Sequence, residues 1–155
     1  MTFIGIAQGA QPLMSYYVGK RQPAKYKKLL KYSLISGIAA SIVATALCYI
    51  FAGGIVSLFL EDMSSPLAGY SIKVFRIFIL SFLLAGFNIV ISGYFTAIEK
   101  AAAATTLSLT RGIIALVGVL FILTALVGGE GIWWAPLTSE FICMIMTIIF
   151  FYKIK

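Results

Sequence analysis

Gln8, Gln11, Asn88 and Glu140 stand inside long apolar runs, where an amide or a carboxyl is expensive to keep. Their chemistry is that of holding. Amides donate and accept hydrogen bonds, and a carboxyl takes up a proton or helps to hold a cation. In the stretch GIAQGAQPLMSYYVGK, Gly5 to Lys20, Gln8 and Gln11 are i and i+3, so they share a helix face that Ser15 extends by a turn. Pro12 removes the bond from its own nitrogen to the carbonyl of Gln8, and a bend is expected there. Gly5 and Gly9 form a small-xxx-small pair that lets a neighbouring helix approach closely. Two readings of this face stand side by side: it lines a gated cavity, or it cross-links packed helices.

Asn88, placed between Ser81 and Ser92, carries the same two readings. Glu140 is the sole acidic residue well inside an apolar run. Counted from Ile132 it lies about 12 Å along a helix, close to the middle of a bilayer. A carboxylate there is costly to ionise unless a cation or a donor pairs with it. It either binds a proton or cation in the course of function, or it is a structural glutamate tied to a Tyr, Ser or backbone group. Arg111 is also a candidate partner, although its place near the cytoplasmic end of its own span argues against the reach.

Enzymatic chemistry finds no constellation. The chain has no histidine and only this one deep carboxyl, so neither a nucleophile–base set nor paired acids can be assembled. The phosphate-cradling GxxxxGK[ST] pattern does not occur. Cys48 and Cys143 lie in apolar runs without spacing partners, which indicates neither a disulfide framework nor a metal site. No catalytic residue and no cofactor is expected, and energy would come from an ion gradient.

The elements that position these residues follow from composition. Of 155 residues, 61% are hydrophobic and 11% charged, with a mean hydropathy of +1.04, far from the balance of a soluble domain. The expectation is an all-α polytopic membrane helix bundle forming a single membrane domain. Five spans are expected, at Thr2–Val18, Tyr32–Leu58, Gly69–Thr96, Ala101–Val127 and Ile132–Tyr152. Several approach or exceed the ~20 apolar residues needed to cross a bilayer. The separators are Gly19–Lys31, Phe59–Ala68, Ala97–Lys100 and Gly128–Gly131.

Charge orients the bundle. Lys20, Arg21, Lys25, Lys27, Lys28 and Lys31 cluster at the first separator, Lys100 and Arg111 flank the third, and Lys153 and Lys155 end the chain. The second and fourth separators hold Glu61, Asp62 and Glu130 instead. The positive-inside rule then places the first and third separators and the C-terminus in the cytoplasm and the N-terminus outside a bacterial inner membrane. Lys73 and Arg76 are the exceptions and are expected to snorkel. Tyr70, Trp133, Trp134 and Tyr152 fall at span ends, where an interfacial aromatic belt accounts for them. The net charge of +7 is absorbed by topology and anionic lipid, so lipid is an expected partner and nucleic acid is not. An external N-terminus without a signal peptide points to a longer original chain of which these residues are a fragment.

Three stretches carry a family resemblance. GIAQGAQPLMSYYVGK with the Lys-rich turn after it, GYFTAIEKAAAATTLSLTRG at Gly93–Gly112, and GGEGIWWAPLTSEFI at Gly128–Ile142 resemble spans eight to twelve of the multidrug and toxic compound extrusion (MATE) transporters. The resemblance implies a twelve-span protein of two six-helix lobes that expels cationic or amphipathic drug-like compounds in exchange for Na+ or H+. This chain would be the second lobe less its first helix, with an N-terminal lobe as its missing partner. In many members that first lobe holds a carboxylate for the coupling ion. Some members also carry an acidic residue within span ten, where Ser81 to Thr96 here has none and Asn88 is the most polar side chain. Gln8, Gln11, Asn88 and Glu140 are the expected share of this chain in the substrate and ion pathway. A lipid-linked oligosaccharide flippase of related architecture, and a non-transporting truncated fragment, are the alternatives.

Overall fold

The computed structural model describes residues 2–154 and shows, among them, helices and turns with no strand. Helix α1 (Thr2–Gly19) is followed by α2 (Pro23–Ile50) and the short α3 (Ala52–Val56). Next come α4 (Pro66–Ala97), α5 (Ala101–Leu109), α6 (Ala115–Val127) and α7 (Gly131–Ile154). A π-turn at Thr110–Ile114 splices α5 onto α6, and a 3-10 turn at Gly128–Glu130 reverses the chain into α7. These elements form the five rods expected from the hydropathy pattern. Three helical stretches, Pro23–Ile50, Pro66–Ala97 and Ala101–Lys153, are long and apolar enough to cross a membrane, the last folding back on itself at the 3-10 turn.

At the first separator the helix reaches beyond the apolar span. The turn between α1 and α2 is confined to the residues around Arg21, and α2 starts at Pro23, so Lys25 to Lys31 occupy its first turns. A basic run lowers hydropathy without disfavouring helix, because lysine is a good helix former and proline is well placed at the first helical position. Arg21 takes a left-handed conformation with φ 52°, and Glu99, between α4 and α5, does the same with φ 63°. The two turns close alike. Gln22 N–H donates to the Tyr17 carbonyl at 3.0 Å, and Lys100 N–H to the Phe95 carbonyl at 2.9 Å, the six-to-one bond of a Schellman cap.

Helix α4 is the axis of the bundle, with α1, α2 and α7 packed against it. On α2 the buried residues Ser33, Gly37, Ser41 and Thr45 recur every four positions, making one narrow face. A Cβ added at Gly86 of α4 would lie 3.0 Å from the Gly37 carbonyl oxygen and still closer to Ser41 Oγ, so the backbones of α2 and α4 meet almost directly. On α7, Gly131, Ala135, Ser139, Cys143 and Thr147 form a second buried stripe with the same spacing. Between helices in lipid, such small residues admit the close packing and dispersion that stand in for a hydrophobic driving force. The Gly5/Gly9 pair is not used this way within this chain: a Cβ at either would meet nothing within 4 Å. The close approach of α1 is instead made by Ala7 against Gly93, where an added Cβ would sit 3.2 Å from the Ala7 Cβ.

The rods run up and down, with two chemically distinct ends. At the basic end Ser15 Oγ of α1 donates to the Ala97 carbonyl at 3.2 Å, and the Tyr94 ring lies 6.5 Å from that of Tyr26 and 5.9 Å from that of Phe151. At the opposite end Lys73 pairs with Glu130 at 3.0 Å, and Trp133 Nε1 donates to the Tyr70 hydroxyl at 2.6 Å. Arg76 stacks over the Tyr49 ring at 5.0 Å. Lys73 and Arg76 thus have partners of their own. In the intervening loop the Ser64 N–H and hydroxyl donate to Asp62 Oδ1 at 2.9 and 2.5 Å, which holds the Asp62 carboxyl below the usual carboxylate range. Ser65 then caps α4, accepting from the Ala68 N–H at 3.4 Å.

Candidate functional site

Helices α4 and α7 and the π-turn bring three of the polar side chains in the apolar runs together. Asn88, 3% exposed, donates from Nδ2 to Glu140 Oε2 at 2.7 Å and to the Glu140 carbonyl at 3.0 Å. The other carboxylate oxygen faces Arg111, whose Nη1 is 3.6 Å away. The Glu140 side chain is 15% exposed and that of Arg111 35%. A carboxylate in an apolar bundle is thereby given one cation and one amide donor. A charged group lacking such partners is severely penalised. Asn88 Oδ1 is buried without a hydrogen-bond partner, leaving one free acceptor beside the carboxyl.

The reach of Arg111 overturns the expectation from its position. Arg111 lies about 15 Å along its rod from Ala101, and Glu140 about 20 Å along α7 from Lys153. The remaining offset is within the span of an arginine arm. The π-turn helps, because its i→i+5 bonding inserts an extra residue and rotates the later turns relative to an unbroken α-helix. Around this pair the polar character continues. Ser92, one turn beyond Asn88, lies 3.2 Å from Ser108 of α5, oxygen to oxygen, and Thr110 is buried at the start of the π-turn. Pro136 sits one turn before Glu140 and cannot supply the N–H that would bond the carbonyl of Ile132, while Ser139 Oγ donates to the Pro136 carbonyl at 2.9 Å. The π-turn interrupts the α5–α6 rod beside the charge pair, while α7 runs through Pro136 as continuous helix.

The other two expected pathway residues are elsewhere. Gln8 is exposed and Gln11 half-buried on α1, and among the described residues no hydrogen bond joins either to Asn88, Arg111 or Glu140. The α-helix runs through Pro12 from Thr2 to Gly19. Asn88 and Glu140 are therefore assembled into one site, and Gln8 and Gln11 form a separate face. The residue that sequence reasoning undervalues is Arg111. Its signal is an arginine followed by Gly112 within an apolar run, ten positions into a helix.

Comparison with known sequences decides the class. The sequence model of the MatE family matches residues 1–121. The chain belongs to the MATE family. Among curated proteins, the multidrug export protein MepA of Staphylococcus saprophyticus is 22% identical over the whole chain, which covers 34% of that protein. MepA of a bovine strain of Staphylococcus aureus is 23% identical with the same coverage. MepA of Staphylococcus haemolyticus is 23% identical, with 33% of its length covered. The chain thus spans about a third of the length of the curated relatives it matches. No solved structure matches it.

Proposed function

We propose that this MATE-family chain forms part of a secondary antiporter that exports cationic or amphipathic compounds in exchange for Na+ or H+. The relatives it resembles are described as multidrug export proteins, and the observation that carries the reading is the carboxylate held between Arg111 and Asn88 inside the bundle. The arrangement suits exchange. Glu140 keeps Arg111 as its counter-charge while empty, and releases it when a proton or cation takes its place. Asn88 Oδ1, buried without a partner, is free to ligate that cation or to accept a hydrogen bond from the protonated carboxyl. A site whose two states differ by a side-chain pairing can bias two packings of the surrounding helices, which is what alternating access between two lobes requires. Gln8 and Gln11, on the face left uncovered in this chain, would contribute to the wall of the central cavity against the other lobe. The basic end faces the cytoplasm in this reading, with the N-terminus outside.

The test is efflux of a fluorescent cationic dye from cells lacking their own pumps, with the transporter at its native length. Glu140→Gln is expected to lower efflux about ten-fold or more and to flatten its dependence on the coupling ion. Gln11→Ala is expected to change the rate or affinity for dye while leaving the ion dependence intact. Unchanged efflux and unchanged ion dependence in both variants would show that these residues pack helices and do nothing more.

A further inference from the structure

A groove at the basic end lies apart from the charge pair. It encloses about 400 Å³ between the start of α2, the end of α4 and the last turns of α7. Ile35, Ile38 and Phe151 supply apolar wall, Tyr94 adds a phenol, and Lys27 and Lys31 stand at the mouth. Lys27 and Lys31 are i and i+4, so both ammonium groups project from one face of α2. They also differ from their neighbours. Lys20, Lys25 and Lys28 lie over the rings of Tyr16, Tyr17 and Tyr32, at 4.4, 5.2 and 5.8 Å. Among the described residues, Lys27 and Lys31 have neither a ring nor a carboxylate as partner. Two unpaired cations above an apolar slot at a membrane boundary are complementary to a ligand with an anionic head and a hydrocarbon tail.

We infer that this groove binds an anionic phospholipid, with its phosphate between Lys27 and Lys31 and an acyl chain running along Ile35 and Ile38. A helix from another lobe filling the same slot would trap both ammonium groups against apolar surface, a desolvation that a phosphate headgroup avoids. The site does not depend on the transport reading, since among the described residues none of its lining residues is a hydrogen-bond or ion-pair partner of Asn88, Arg111 or Glu140.

The test uses the chain at its native length, purified in detergent with equal amounts of phosphatidylglycerol and phosphatidylcholine, and counts retained lipid by native mass spectrometry. Retention of phosphatidylglycerol over phosphatidylcholine is expected, and the double variant Lys27→Gln/Lys31→Gln should weaken it about thirty-fold. Lys20→Gln/Lys25→Gln, with the same loss of charge, should stay within about two-fold. Ile38→Trp, which fills the slot and keeps both lysines, should also reduce retention. Equal losses in the two lysine pairs would mean a diffuse surface attraction and overturn the site. Equal retention of the two lipids, or none, would mean the slot is filled by protein or by lipid without headgroup selection. Displacement of phosphatidylglycerol by millimolar inorganic phosphate alone would assign the lysines to free anions.

Discussion

The two flanks of α4 are built to the same pattern and do different work. Toward α2, Ser33, Gly37, Ser41 and Thr45 form a four-residue repeat, and along α7, Ala135, Ser139, Cys143 and Thr147 form another, which Gly131 prolongs against Leu123 of α6. Hydroxyls on both sides turn inward on their own helix: Ser41 Oγ donates to the Gly37 carbonyl at 2.8 Å, and Ser139 Oγ to that of Pro136 at 2.9 Å. Among the described residues, a side-chain hydrogen bond crosses from α4 to α7 deep in the seam, through Asn88 and Glu140, whereas toward α2 the polar contact is Arg76 over the Tyr49 ring near the end of the helix. Small residues alone suffice to bring helices together. The costly amide and carboxyl lie together at the α7 seam, beside the π-turn that interrupts the α5–α6 rod. That asymmetry separates a packing seam from a site.

Substitutions on the two flanks should fail in different ways. Gly86→Leu, which drives a side chain into Ser41 and the Gly37 carbonyl, should have the largest effect on stability, about 3 kcal/mol or outright loss of folded protein, read by thermal unfolding in detergent. Arg111→Ala should cost about 2 kcal/mol by leaving the Glu140 carboxylate without its cation. Glu140→Gln added to Arg111→Ala should recover much of that loss, whereas no second change at Glu140 should rescue Gly86→Leu. Gln8→Leu, on the open face of α1, should shift stability by no more than about 0.5 kcal/mol, and an effect confined to transport would mark that face as cavity wall.

The smallest effect should fall outside the bundle. Asp62 has its carboxyl depressed below 3.8 by the two Ser64 donors, so its contribution to the loop is present above pH 3.8 and is lost as pH falls through the lower folded value. Protease sensitivity at Glu61–Ser65 should therefore rise only under strongly acidic conditions.

Much of the fold is legible from hydropathy and charge alone, because span length and loop chemistry are set by the bilayer. The start of α2 is not, because Lys25 to Lys31 lower hydropathy in a segment that lysine's helix propensity keeps helical. Spacing points to Gly5/Gly9 rather than to Gly37, Ser41 and Gly86, because a pattern within one helix says nothing of which neighbour lies opposite. Asn88 and Glu140 stand out as isolated polar groups in apolar runs. Their pairing is hidden, since residues 52 positions apart are joined only by the tertiary packing of α4 against α7. Depth alone argues against Arg111, and depth ignores both its long arm and a π-turn that propensity does not encode.

The central claim is that Arg111 and Glu140 act as one unit, and the direct measurement is a double-mutant cycle in unfolding free energy with Arg111→Gln, Glu140→Gln and the pair. Direct pairing predicts a coupling of about 1 kcal/mol or more. Strict additivity of the two single substitutions would contradict it.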